Sequence, residues 1–307
     1  MKNTFNKWLT NWDSFWFSER SLYLLGLFRI VLCSVLAFMY WSRQFDVDLY
    51  FTENGILPRQ LALEIFPEFM RPPYLLALWP DSLAPTFHLL LVSGLLLLAF
   101  GVGGRFLNIL VWLLHIAFLQ RNYSIAFGAD LIGGIFLFLM SGTQSCARFS
   151  ILNLISYKEI KSDLFTNVFF RLIQIQLSII YFYTGIEKLK GMPWWDGTAL
   201  WTVLANPQMV IADLTWVKDF TFFIIFMTYA TILFEIYFPV FILFKNTRKY
   251  ILSFGVLFHS GIGLLVALWN FALIMMAPYI LFLDEKNVST LINKFLSRLK
   301  MRQFFSN

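Results

Sequence analysis

Charged residues are scarce in this chain: only 14% of its 307 residues are Asp, Glu, Lys or Arg. A soluble enzyme or barrel of this size needs far more polar surface, so both classes are excluded. Cysteine is nearly absent as well. Cys33 lies in an apolar run and Cys146 in a connecting segment. Two such residues provide neither a disulfide framework nor a Cys-rich metal centre, and both are expected as free thiols. The three histidines, His88, His115 and His259, are far apart and form no H-E-x-x-H pattern, so no metal is expected. There is no G-x-G-x-x-G or Walker sequence; Gly101-Val-Gly-Gly104 follows no strand pattern and reads as a tight turn. No repeat with a period of roughly 20–50 residues runs along the chain. The first 20 residues contain Lys2, Lys7 and Arg20 but no small-residue cleavage pattern, so no removable signal peptide is expected.

Apolar and aromatic surface is abundant instead. Of the residues, 59% are apolar and 19% aromatic, with 36 phenylalanines, and the mean hydropathy is +0.68. This is the composition of an integral membrane domain with short connections. The predicted fold class is all-α, a polytopic transmembrane helical bundle with seven or eight spans. The apolar runs place spans at 22–41, 84–101, 105–120, 126–141, 168–188, 220–244, 250–268 and 270–283. Several fall short of the roughly 20 residues of a perpendicular crossing, which implies tilt, kinks or partial insertion. The count turns on the last pair. As one helix, residues 251–283 would run roughly 50 Å, too long for one crossing. Trp269-Asn270 offers a reversal there, and Pro278 a kink.

Residues 1–20, with Trp8, Trp12, Phe15, Trp16 and Phe17 among the cations, are predicted to form a cytoplasmic interfacial helix. The transmembrane domain covers 21–283. In the tail, 284–307, Lys286, Lys294, Arg298, Lys300 and Arg302 interleave with Leu291, Ile292, Phe295, Leu296, Leu299 and Phe304, the pattern of a basic amphipathic helix lying on lipid. Lys/Arg clusters alternate along the connections: Arg105; then Arg148, Lys158, Lys161 and Arg171; then Lys245, Arg248 and Lys249. The positive-inside rule therefore puts the N-terminus in the cytoplasm and the loops 42–83 and 189–219 outside. Loop 42–83 gives no inward signal, with six acids against three arginines. Its Pro58, Pro67, Pro72, Pro73 and Pro80 suit a cap with a short helix around 59–66. The net charge of +6 fits loops facing anionic lipid rather than a nucleic acid.

Ionisable groups inside an apolar field are expensive, so each needs a partner, a water path or a task. Lys188 ends the fifth apolar run, in Thr184-Gly-Ile-Glu-Lys-Leu-Lys190, and Gly-Met-Pro-Trp-Trp-Asp-Gly197 follows. Tyr181 and Thr184, seven and four residues earlier, share its side of the helix, and Gln174 continues that stripe; Glu187 points to another face. Two readings stay open. Lys188 is either a partly desolvated base for an acidic phenolic or quinol substrate, or a lysine snorkelling to the outer headgroups beside Trp194 and Trp195. Asp130, at the same expected depth, either orients Lys188 or starts a helix. Asn122, Tyr123 and Ser124 line a polar mouth or belong to a loop. Glu235 and His259 lie deeper, at matching depth on adjacent spans, and either share a proton or act as structural glue. Arg29 is expected to snorkel or to pair with an inward-facing acid. His88 and His115 are read as core or boundary residues.

These residues arrive in a recognisable order: Ser21-Leu-Tyr-Leu-Leu-Gly-Leu-Phe-Arg29-Ile30, Gln120-Arg-Asn-Tyr-Ser124 with Gly128-x-Asp130, Tyr181-Phe-Tyr-Thr-Gly-Ile-Glu-Lys-Leu189 leading to Trp195-Asp-Gly197, then Phe234-Glu235, Pro239 and His259. Over roughly residues 14–285 the chain resembles the HTTM domain family, the transmembrane module of vitamin K-dependent gamma-glutamyl carboxylase and of many bacterial proteins. The resemblance implies that Lys188 matches the lysine that deprotonates reduced vitamin K in the carboxylase, whose oxygenation then drives removal of the γ-proton of a glutamate. It aligns His259 with a family histidine and Tyr123 with a second one that supports activity. Tyr123 can donate a hydrogen bond there but cannot exchange protons as an imidazole does near neutral pH. The catalytic set implied is Lys188, Asp130 and His259. The cofactor-binding set is Asn122, Tyr123, Tyr181, Thr184, Trp194 and Trp195, around reduced vitamin K or another membrane hydroquinone. The chain ends 22 residues after Glu285, where the carboxylase continues into a lumenal region that holds its protein substrate, so glutamate carboxylation would need a partner.

Three functions follow as expectations. The first is a quinol-dependent enzyme of carboxylase or epoxidase type in a bacterial cytoplasmic (inner) membrane, with Lys188 as base on the extracytoplasmic side. The second is a non-catalytic scaffold or peptide-maturation partner, like bacterial relatives associated with peptide-toxin production, working through loops 42–83 and 189–219. The third is a transporter of a small lipophilic molecule, disfavoured because no inverted repeat is visible. Membrane lipids, and a peptide or membrane protein at the outer loops, are the expected partners, with no nucleic acid.

Overall fold

A computed structural model of the protein describes residues 2–65, 79–151 and 160–298. Pro67, Pro72, Pro73, Lys158, and Leu299, Lys300, Arg302 and Phe304 of the tail lie outside the described residues, as do the side chains of Phe295, Leu296 and Arg298. The described elements are helical, with no strand among them. In chain order they are α1 (Lys2–Phe17), α2 (Leu22–Arg43), α3 (Val47–Phe51), α4 (Arg59–Ile65), α5 (Ala84–Ala99), α6 (Gly104–Arg121) and α7 (Gly128–Ser141). Then follow α8 (Leu164–Lys188), α9 (Met192–Trp195), α10 (Ala199–Leu204), α11 (Thr221–Phe241), α12 (Lys245–Val266), α13 (Trp269–Met276) and α14 (Glu285–Arg298). Each apolar run expected from the sequence coincides with a helix, and α4 occupies the place expected for a short helix in the first long loop.

Among the described residues, five helical stretches are long and apolar enough to cross a membrane: Leu22–Phe51, Asp81–Ala99, Leu164–Lys188, Thr221–Phe241 and Lys245–Val266. Gly128–Ser141 and Trp269–Phe282 are shorter apolar helices. Burial points the same way. In the most apolar window of α8 and of α11 only 33% of residues are buried, and in α12 22%. Phe182, Phe222 and Leu257 consequently stand exposed. Water does not tolerate an apolar surface of that extent, whereas hydrocarbon chains cover it without cost.

The chain divides into two compact units, residues 1–173 with 283–307, and residues 174–282. In the first, the Ser21 hydroxyl caps α2 by accepting from the Leu24 N–H at 3.0 Å. Leu25, Phe28, Leu32 and Leu36 are buried on α2, which packs on α5 and on α7; Phe28 meets Phe136 and Leu36 lies over Gly133 of α7. The turn into α6 has Gly101 at φ 80° and Gly103 at φ 89°, left-handed values that a side chain would strain, as the tight-turn reading expects. His88 and His115 are fully buried. His88 Nδ1 lies 2.7 Å from Gln44 Oε1, and His115 bridges the Tyr40 hydroxyl at 2.8 Å and the Asp130 carbonyl at 3.0 Å.

Arg29 departs from expectation. It does not snorkel, and among the described residues it meets no acid: the side chain is completely buried, and its guanidinium donates to the carbonyls of Ser145, Arg148, Ala99 and Phe149. Its planar fork of five donors suits a cluster of carbonyls. Arg105 has a different task. It donates to Asp163 at 2.8 Å and to the Gly142 carbonyl at 3.0 Å, and the Thr166 N–H donates to Asp163 at 2.8 Å. Partial burial pushes the Asp163 carboxyl up, but these hydrogen bonds and the Arg105 charge outweigh it and hold the group down at about 2. A depressed carboxyl contributes stability that is complete above its ordinary 3.8 and is lost as pH falls through about 2. Asp163→Asn is therefore expected to be less stable than wild type at neutral pH, and the gap should close during an acid titration through that window, followed by thermal unfolding in detergent. A gap that stays constant down to the lower end would rule this linkage out.

In the second unit, Leu204, Val217 and Ile224 form an apolar cluster, with Leu200, Trp201 and Leu214 packed against it. The apolar stretch 251–283 does reverse, slightly before Trp269: Ala267 takes a left-handed φ of 58° and ends α12. Pro278 falls within a tighter 3-10 turn, Ala277–Phe282, where its missing N–H costs little.

Candidate functional site

The second unit builds its polar centre from the end of α8 and the middle of α11. Lys188 Nζ donates to Glu235 Oε1 at 2.9 Å and lies 2.7 Å from Oε2, a contact that is ionic without hydrogen-bond geometry. The Glu235 side chain is 6% exposed and that of Lys188 24%. The same ammonium lies 5.4 Å from the centre of the Trp194 ring, within cation–π range. Thr184, one turn before Lys188, also faces the Glu235 carboxylate, while its hydroxyl donates to the Tyr181 carbonyl at 3.0 Å. Gly185 permits this approach. A Cβ built there would come within 2.8 Å of Ile236 Cγ1 and 3.1 Å of Glu235 Cβ, so any larger residue would wedge α8 away from α11.

The contact fixes a depth along α11. Glu235 lies fourteen residues into the helix that starts at Thr221, about 21 Å along its axis. Lys188 therefore does not reach the level of that start. The intervening stretch of α11 is covered by residues 189–219. The Leu200 N–H donates to Thr228 Oγ1 at 3.1 Å, and the Tyr229 hydroxyl to the Trp195 carbonyl at 2.6 Å. The ammonium turns to a buried carboxylate and also lies beside Trp194, as the sequence placed it. Trp195 is 59% exposed, and its Nε1 donates to the Leu189 carbonyl. Glu187 points away, as expected, and pairs with Lys190 at 2.6 Å.

Glu235 and His259 do not share a hydrogen bond, so of the two sequence readings the proton-sharing one is not realised. His259 Nε2 lies 2.6 Å from the Tyr181 hydroxyl, which also bonds the Tyr279 hydroxyl. All three are buried. His259 Nδ1 has no partner among the described residues. The expectation matched two depths by counting each helix from its cytoplasmic end, and the packing of α8 against α11 supplied Glu235 with a different partner.

Asp130, Asn122 and Tyr123 belong to the first unit, and Asp130 finds one partner that the sequence reading did not name. Its carboxylate, fully buried, accepts a bidentate pair from Arg43 at 2.7 and 3.0 Å and the Phe127 N–H at 3.1 Å. The helix-start reading of Asp130 is thereby realised, and both oxygens are engaged. Asn122 is buried and donates to the Tyr50 carbonyl at 2.7 Å while accepting from Ser124. Tyr123 begins a short 3-10 turn beside it. Sequence reasoning missed Arg43 and Tyr279. Arg43 was counted as a loop cation because the apolar run stops at 41, whereas α2 continues to Arg43 itself. For Tyr279 the available signal was Pro278, which tightens the chain into a turn that presents the phenol.

Comparison with known proteins bears on this arrangement. The model of the HTTM domain matches residues 68–286. The sporulation-delaying protein SdpB of Bacillus subtilis (strain 168) is 26% identical over 125 residues, 38% of this chain and 39% of that protein. The match thus spans about two-fifths of that relative's length. No solved structure matches the chain. The family match includes α5 to α13 and both residues of the Lys188–Glu235 pair, and on its extent the chain belongs to the HTTM domain family.

Proposed function

We propose that this membrane protein is an enzyme resembling vitamin K-dependent gamma-carboxylase in its proton chemistry, with the Lys188–Glu235 pair as its reactive centre and a hydroquinone-like lipid as its substrate. The observation that carries this reading is the pair itself, opposite charges held at 2.7–2.9 Å within an apolar helix field. Such pairs add little stability, because desolvation offsets their attraction, so one inside a membrane domain calls for another role. A proton passing from Lys188 Nζ to Glu235 across the short contact leaves an amine and a carboxylic acid, with no net charge created. The amine then accepts the proton of an acidic phenolic hydroxyl, and the ammonium so formed balances the phenolate. A reduced vitamin K or similar hydroquinone would supply that hydroxyl on a flat ring. The residues present suit it: an amine, a carboxylate and the Trp194 indole as an aromatic wall. Tyr181, His259 and Tyr279 brace α8, α12 and the 277–282 turn behind the pair.

With α6 and α7 the five long apolar helices make seven crossings in this reading, and with α13 eight. The N-terminus is cytoplasmic, the membrane is a bacterial inner membrane, and the reactive centre opens to the extracytoplasmic side. Purification in native lipid with mass spectrometry of co-purifying small lipids tests the substrate class. Wild type is expected to retain a quinone that is lost both from Lys188→Ala and from Lys188→Met/Glu235→Leu, the latter removing both charges together. Equal retention by all three, or no quinone in wild type, would sink the proposal.

One observation favours a second reading, a peptide-maturation scaffold. Residues 189–219 carry Met192, Ile211 and Trp216 at 72%, 67% and 58% exposure. A photo-crosslinker at Ile211 or Trp216 that recovers no protein from cells would count against it.

A further inference from the structure

An apolar groove of about 960 Å³ runs between α11 and α12, on the side of α11 turned away from Glu235. Phe226, Tyr229, Leu233 and Tyr237 form its α11 wall, spaced three or four residues apart on one helix face, and Tyr250 and Phe254 form the facing wall on α12. From Phe222 to Phe241 the groove follows twenty residues of α11, about 29 Å, close to the thickness of a hydrocarbon core. Its lining is almost wholly carbon, which suits alkyl chains.

One end of the groove is charged. Thr247 and Tyr250 close it, and Lys249 Nζ lies 4.7 Å from the centre of the Tyr250 ring. Lys245 stands exposed nearby, at the start of α12. Arg248 is committed elsewhere: it donates to the Ile242 and Leu243 carbonyls that end α11, and to the Phe282 carbonyl. Among the described residues, neither Lys245 nor Lys249 forms an ion pair. Glu235 is taken by Lys188. An apolar channel whose end bears two exposed lysines outside any ion pair among the described residues is complementary to a molecule with long alkyl chains and an anionic head.

We propose that the α11–α12 groove is a binding site for an anionic phospholipid, its acyl chains along Phe226, Leu233 and Tyr237 and its phosphate held by Lys245 and Lys249. The site is independent of the Lys188–Glu235 chemistry, since it occupies the opposite face of α11. A second copy of the chain or a partner helix would fit the apolar walls but leave the lysines unanswered.

The test uses the full chain in mild detergent, with phosphatidylglycerol and phosphatidylcholine of identical chains as probes and native mass spectrometry to count retained lipid. Wild type is expected to prefer phosphatidylglycerol by roughly thirtyfold, as two surface lysines acting together provide. Lys245→Gln/Lys249→Gln should abolish the preference while leaving the fold intact, both residues being exposed. Leu233→Trp, which fills the groove, should reduce retention of both lipids. Equal retention of the two lipids by wild type would overturn the proposal, as would a preference that survives the double substitution. Efficient disulfide formation between copies bearing Tyr237→Cys would also overturn it, by assigning the groove to a protein interface.

Discussion

Lys188→Leu is expected to destabilise the protein by roughly 3–5 kcal/mol, the usual consequence of leaving one member of a buried ion pair alone. Glu235 is the more deeply buried partner, 6% exposed against 24% for Lys188, and its short side chain cannot carry the charge out. Glu235→Leu should cost less, about 2–3 kcal/mol, because the long lysine stem can swing its ammonium toward a polar boundary. Combined in Lys188→Leu/Glu235→Leu, the two should recover most of the loss, since neither charge then needs solvation. Unfolding in mixed micelles with increasing SDS measures all three. Additive losses in the double variant would show that the two side chains do not act as a pair. The exposed Glu187–Lys190 contact serves as a control, and Glu187→Gln should leave stability unchanged.

Asp130→Ala is expected to be at least as damaging. It removes both Arg43 contacts and the acceptor for the Phe127 N–H at the start of α7. With Asp130 fully buried and the Arg43 side chain 15% exposed, the loss should be about 3–5 kcal/mol, with roughly a further 1 kcal/mol for the helix cap. Here an apolar double substitution, Arg43→Met/Asp130→Leu, should recover only part of the loss, because the Phe127 N–H stays unsatisfied. That contrast with the Lys188–Glu235 pair separates a structural ion pair from one whose cost is purely electrostatic. The same SDS titration reads it, and full recovery would show that the Asp130 cap contributes nothing.

Helix positions were legible because hydrophobic runs report directly on which segments avoid water. The run from Ile251 to Leu283 even announced a break through its excess length, and the chain turns at Ala267, within two residues of Trp269. Partners were less legible, for a geometric reason. Matching depths by counting residues assumes that each helix crosses the bilayer fully and that loops stay outside. Residues 189–219 fold along the first half of α11, and Lys188 meets Glu235 in the middle of that helix. Arg29 was opaque for another reason. Its partners are backbone carbonyls at 99, 145, 148 and 149, and carbonyl direction leaves no trace in a side-chain pattern. Lys188, Tyr181 and Thr184 were nevertheless placed correctly on one side of α8, because helical periodicity alone dictates that.

The central claim is that Lys188 and Glu235 together take a proton from a lipophilic hydroquinone. The measurement that tests it most directly is aerobic consumption of a reduced naphthoquinone by the purified full chain in nanodiscs, comparing wild type with Lys188→Ala and with Lys188→Met/Glu235→Leu. Wild type should consume the hydroquinone faster than empty nanodiscs, and both variants should fall to the empty-disc rate while retaining their helical circular dichroism. Folded variants that match the wild-type rate, or a wild-type rate no higher than that of empty discs, would contradict it.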